Sequence, residues 1–280
     1  MYTHSDTATM FAPGVISTGD VFASSFTPDG RTVYFTKATN DRSSMQIMVS
    51  HWTNGAWSEP RRAPFSTGQR QMDPHVAPSG RVVYFTAPRR RNAGISDPDG
   101  DWDTWTASLE KGDPSEATRL TSLANSPDHE MYPSVMIDET VFFGVSARQD
   151  GAAARSEIAY MNKKVRTTPV RVPLALTNPG NPYITPRGNV LIVSGTGKDE
   201  RTRADLYVVT RGGDGRWSAP RDLGREVNTD AVEFCPSLSP DGQYLFFSRL
   251  RRDGDRVTGN DIYVIPVASV PVLRDALRAR

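Results

Sequence analysis

The stretch "DAVEFCPSLSPDGQYLFFSR", residues 230–249, runs an alternating segment into a Pro-Asp-Gly turn and then an apolar strand. Its second half is not unique. It recurs as "TPDGRTVYFT" (27–36), "APSGRVVYFT" (77–86), "TPRGNVLIVS" (185–194) and "SPDGQYLFFS" (239–248), and "MIDETVFFG" (136–144) keeps the strand without the Pro-x-Gly turn. Asp or Ser before Gly suits a tight hairpin, so Asp29 and Asp241 read as turn residues. The five copies lie about 50 to 60 residues apart, the period of propeller blades.

Each copy continues into a further strand: "QIMVS" (46–50), "DTWTAS" (103–108), "SEIAYM" (156–161), "ADLYVV" (204–209) and "NDIYVI" (260–265). In the clearest copies a proline-bearing edge segment follows, "NGAWSEPRRAPFST" (54–67) and "DGRWSAPRDLGREVNT" (214–229), as suits an outermost strand. The reading is all-β: a single five-bladed β-propeller of four-stranded antiparallel blades, spanning about 21–69, 70–127, 128–180, 181–230 and 231–267. The fifth copy lacks the edge segment, and "FAPGVISTGD" (11–20) resembles the tail of one. An N-terminal strand at 11–20 is therefore expected to close the last blade, so that no sheet edge stays open. The C-terminal "VPVLRDALRAR" reads as a short amphipathic helix or tail.

"VNTDAVEFCPSLSPDGQYLFFSR" with "NDIYVI" resembles the WD40-like repeat of TolB-type propellers, whose blades carry a Pro-Asp-Gly hairpin and an Asp-Ile-Tyr strand. The resemblance covers nearly the whole chain and implies the fold. It says little of function, because propellers host scaffolds, hydrolases and lyases alike. A six-bladed ring is usual for that type, and five units depart from it. The architecture is also similar to five-bladed arabinanase-type hydrolases, although none of their motifs is matched.

Composition narrows the partners. Thirty-three basic against 32 acidic residues leave a net charge of +1, so no field draws in nucleic acid or an anionic membrane. A single cysteine, Cys235, rules out a disulfide framework and a multi-cysteine zinc site. No basic and apolar leader opens the chain, and no run reaches the roughly 20 apolar residues of a membrane helix. A cytoplasmic monomer without cofactor is expected, binding a small molecule, with a protein partner as the other possibility.

Period-2 alternation assigns faces to the innermost strands. Phe22, Ser24, Phe26 and their equivalents, including Met72, Pro74, Met131, Pro133, Pro182, Phe234 and Pro236, are expected to pack between blades. The alternate set should line the channel, placing Gln71, Glu130 and Glu233 in one layer. Asp73, Tyr132, Asn181 and Cys235 form the next, with His75, Ser134, Tyr183 and Ser237 below. On that basis Glu130, Glu233, Asp73 and His75 are candidate acid-base residues, since close carboxyls split their pKa values. Gln71, Tyr132, Asn181, Tyr183 and Trp102 are candidate substrate contacts. The function expected is a small-molecule-binding propeller, plausibly a lyase, cyclase or hydrolase, with a non-catalytic scaffold as the alternative. Equally, an acidic residue three before the strand proline can simply bond lead-in loop amides. Asp73, His75, His129 and Glu130 lack a metal-site spacing, so no metal is expected. The long connection "APRRRNAGISDPDGDWDTW" (87–105) is expected to be a lid or specificity loop.

Overall fold

The computed structural model describes every residue except 1, 3–4, 40–42, 68–69, 89–101, 111–116, 121–125, 127, 147–154, 163, 165–167, 198–202, 255 and 280. Most of the expected lid loop, including "RRN" at 90–92, lies outside the described residues. The chain forms a five-bladed β-propeller of antiparallel sheets. In sequence order, the innermost strands are Val21–Phe26, Met72–Val76, His129–Val135, Thr177–Ile184 and Val232–Leu238. Each pairs through the shared turn with a second strand, for example Tyr244–Asp253, and that with a third, for example Arg256–Pro266. The boundary expected at 180/181 falls within the fourth inner strand.

The ring is closed from the N-terminus, with the paired strand just ahead of residues 11–20, which add single bonds to the same late strand. Thr9–Met10 pairs with Arg256–Pro266, Thr9 opposite Val264. The likeness between 11–20 and the tail of an edge segment was sound, yet that tail follows the outer strand. Phe11 donates its N–H to the Ile262 carbonyl (2.8 Å) as Leu223 does to Leu206 (3.1 Å), so the pairing residues come just before it. Phe11, fully buried, meets Phe26, Trp57 and Phe246 in this seam, with Phe26 and Phe246 centroids 4.5 Å apart.

The core is distributed among the seams between neighbouring blades. Tyr34, Ile47 and Val49 of the first blade face Val76, Val83 and Phe85 of the second, and the other seams repeat this. The C-terminal helix, Pro271–Arg278, begins with a proline whose missing N–H costs nothing in the first turn, and buries Leu273 and Ala276 on the fourth seam.

Strict alternation fails in every inner strand, at the same place. Between Phe22 and Ser25, Met72 and His75, Met131 and Ser134, Gly180 and Tyr183, and Phe234 and Ser237, two residues oppose one. The first residue of each bulge has a left-handed backbone: Ala23 (φ 55), Asp73 (57), Tyr132 (58), Asn181 (47) and Cys235 (47). The second is proline in four blades and Ser24 in the first, because a bulged residue has no ladder bond to lose. The opposing side chains, Phe35, Phe85, Phe143, Val193 and Phe247, are fully buried. The third copy keeps the expected alignment, with Met131 opposite Gly144.

A left-handed non-glycine residue costs about 1–2 kcal/mol, and a β-branched one more. Ala23→Val should therefore destabilise the protein by about 2 kcal/mol in urea melts, although valine favours strands, while Ala23→Gly should be tolerated.

Candidate functional site

The bulge decides what faces the axis. After it the alternation slips by one residue, so Ala23 and Ser24, Asp73 and Pro74, and their equivalents all line a narrow axial pocket of about 40 Å3. The prolines expected between blades therefore lie on the channel wall. The residues before the bulge pack between blades, as expected. Phe22, Met72, Met131 and Phe234 gather with Trp102 and Tyr132 in one apolar cluster shared with Ala23 and Cys235. The Phe22 and Phe234 rings lie 5.9 Å apart, and the Arg70 guanidinium sits 4.8 Å above Trp102. Blades one, two, three and five thus build an apolar collar beside the polar floor, and the fourth has Gly180 at the equivalent position.

In the floor, Asn181 donates to Cys235 Sγ (3.5 Å) and accepts from Ser194 Oγ (2.6 Å). Cys235 Sγ lies 4.0 Å from Asp73 Oδ1. Asp73, Tyr132 and Asn181, all expected near a substrate, are brought together here, and Trp102 stands at the collar.

Gln71, Glu130 and Glu233 are not among the residues lining this pocket. All three turn back onto the hydroxyl residue four positions earlier or its neighbour. Gln71 Oε1 accepts from Thr67 N (2.8 Å) and Ser66 Oγ (3.0 Å). Glu130 accepts from Ser126 Oγ. Glu233 accepts from Thr229 N (3.2 Å) and Thr229 Oγ1 (2.7 Å), and pairs with Arg249 Nε at 2.8 Å. Arg249 is itself laid over the Tyr263 ring at 4.4 Å. These are staples of the loop leading into each inner strand, and the Ser/Thr-x-x-x-Glu/Gln spacing at 67–71, 126–130 and 229–233 was their signal.

His75 and Tyr183 line the channel but serve a neighbouring blade. Val76 N donates to Ser25 Oγ (2.9 Å), Val135 N to His75 Nε2 (3.1 Å) and Ile184 N to Ser134 Oγ (3.0 Å), while Tyr183 bonds the Leu238 backbone. This belt joins each blade to the next. Burial holds the His75 imidazole down at about 4, so it stands neutral as an acceptor rather than as a general base at neutral pH.

Burial pushes Glu130 up to about 7, against the opposing Ser126 hydrogen bonds and with the Asp103 and Asp128 charges adding to it. Its Oε2 is buried with no hydrogen-bond partner among the described residues. Among those residues no group of three or more His, Cys, Asp or Glu is placed to hold a metal ion.

Comparison with known proteins supports the fold. No family model matches the chain, and no curated protein does. Among solved structures, a thermostable family-43 glycoside hydrolase aligns with TM-score 0.59 at 12% identity, covering 91% of each chain. An α-L-arabinofuranosidase from Lactobacillus brevis gives 0.53 at 16%, over 91% of this chain and 93% of that one. TolB from Acinetobacter baumannii gives 0.50 at 14%, with 89% of this chain spanning 54% of that protein.

The two glutamates should separate in a pH-dependent melt. Unfolded, Glu130 ionises near 4.5, and folded near 7, so its protonated form stabilises the fold below pH 4.5 and that contribution is lost as pH rises through 7. Glu130→Gln, which copies the natural Gln71 staple, should gain on wild type between pH 5 and 8, by on the order of 2–3 kcal/mol. Glu233→Ala should instead cost about 3–5 kcal/mol at pH 7, by stranding Arg249.

Proposed function

We propose that the chain is a binding propeller that takes a small molecule at the collared mouth of its channel, without an acid-base pair. The observation that carries this is the pocket itself, where Asp73, Tyr132, Asn181 and Cys235 from four blades converge, next to an apolar cluster of Phe22, Met72, Met131 and Phe234. Small-molecule sites commonly join apolar walls to a few convergent polar groups. Asp73 offers acceptor oxygens, so the ligand that fits has an apolar body and a hydroxyl or amine. Cytoplasmic location, action as a monomer and membership of the TolB-type repeats belong to the same proposal. In support of a location off the membrane, no described helix is long and apolar enough to cross one.

The hydrolase reading draws on the two glycosidase likenesses, which at 12% and 16% identity speak for the fold alone. Glycoside hydrolysis ordinarily needs two carboxyl groups facing the scissile bond, about 5–10 Å apart. The pocket lining supplies Asp73, and Glu130 and Glu233 are held in their loop staples. A scaffold role remains the second reading, favoured by the belt that occupies His75, Tyr183 and the serines.

Titration with benzylamine and with phenyl glycosides tests the proposal. One of these should bind one to one and shift Tyr132 resonances, with affinity at least tenfold lower in Asp73→Asn. No nitrophenol should be released from 4-nitrophenyl arabinofuranoside. Release that Asp73→Asn abolishes would replace the proposal with hydrolysis, and absence of binding by every probe would favour the scaffold.

A further inference from the structure

Below the pocket the channel widens again. His75, Tyr183 and Ser237 line both the upper pocket and a second chamber of about 150 Å3 that lies toward the hairpin turns, so they form the partition between the two. The His75 and Tyr183 ring centroids are 6.1 Å apart.

The chamber wall is built from one apolar residue per blade: Phe26, Val76, Val135, Ile184 and Leu238. Its rim is set by the turn prolines Pro28, Pro78, Pro186 and Pro240. In the third blade, which lost its Pro-x-Gly turn, Ile137 holds the equivalent position and is 73% exposed. Repeat decay has removed the turn residue there and kept an apolar one. A cavity of that size holds about one aromatic ring.

The partition brings polarity of one kind. His75 Nε2 accepts the Val135 N–H, so the neutral ring carries its proton on Nδ1. Tyr183 Oη accepts from the Leu238 backbone, leaving its own hydrogen to donate. Neither donor has a further partner among the described residues. Burial keeps the imidazole neutral and holds the phenol up at about 12, so both remain donors across the physiological range.

We propose that this lower chamber is a second ligand site, for an apolar small molecule ending in a carbonyl or carboxylate oxygen. The oxygen meets the His75 and Tyr183 donors at the partition, and the apolar body lies against the five-residue wall. The site is separate from the collared pocket above, whose floor presents acceptors.

Phenylacetamide and phenylacetate, with phenethylamine as the control, test this on the full chain. The carbonyl or the carboxylate probe should bind in calorimetry, move the His75 Nδ1–H resonance, and show NOEs from its ring to Phe26 and Leu238. Which of the two binds tighter tells a neutral carbonyl from an anion. Tyr183→Phe, if folded, should weaken binding about tenfold. If that variant does not fold, the His75 resonance and the NOEs of the wild-type protein decide. The proposal falls if neither oxygen-bearing probe moves His75 at 10 mM, if phenethylamine binds as tightly, or if the NOEs run to Tyr132 of the upper pocket. Because Tyr132 reports only on the upper pocket, failure below leaves the proposed function standing, and the reverse.

Discussion

The inner-strand bulge is the constraint on which the rest of the molecule turns. By forcing one residue per blade into a left-handed backbone, it aims that residue's amide across the seam. Ala23 N bonds Ser248 Oγ (3.0 Å), Asp73 N bonds Thr36 Oγ1 (3.0 Å) and Tyr132 N bonds Thr86 Oγ1 (3.1 Å). All three hydroxyls are fully buried on the second strand of the preceding blade. A second set of bonds, from the belt residues, lies two positions further along. Blade joins blade twice, by polar contacts inside an otherwise apolar seam, where an unmet amide would cost about 1–3 kcal/mol.

Backbone strain at an axial position usually invites a functional reading. Here it occurs in all five blades, at Ala23 as at Asp73, so it belongs to the fold. What distinguishes the blades is the side chain that the common geometry presents. Alanine, aspartate, tyrosine, asparagine and cysteine stand at one level of the channel, and that inequality is where a ligand can find direction in a pseudo-symmetric ring.

The repeat was legible because turn chemistry and strand composition are local: Pro-Asp-Gly before an apolar run reports itself, and even the third copy kept Val141, Phe142 and Phe143. The bulge was less so. Alternation counts residues, and a bulge adds one without changing composition, so Pro74 and its equivalents were assigned to the wrong surroundings, while Phe22 packs between blades as expected. The dipeptides Asp73-Pro74, Tyr132-Pro133, Asn181-Pro182 and Cys235-Pro236 held the clue, since proline within a central strand points to a bulge. Glu130 and Glu233 call for a different reading. Their acidity suggested chemistry, whereas Gln71 at the same position shows that the loop asks for a side-chain oxygen and is indifferent to charge.

The closing strand has a consequence for how the ring is made. Ser17 bonds Ile262 across 245 residues of sequence, and Thr9–Met10 pairs with the same late strand. Contacts so distant carry the largest loop-closure entropy in the molecule and come late in folding. The strand Thr9–Met10 is thus the last to find its neighbour. Four blades can stack by local hairpins while Phe11 waits, and the seam of Phe11, Phe26 and Phe246 acts as a clasp that turns an open arc into a circle.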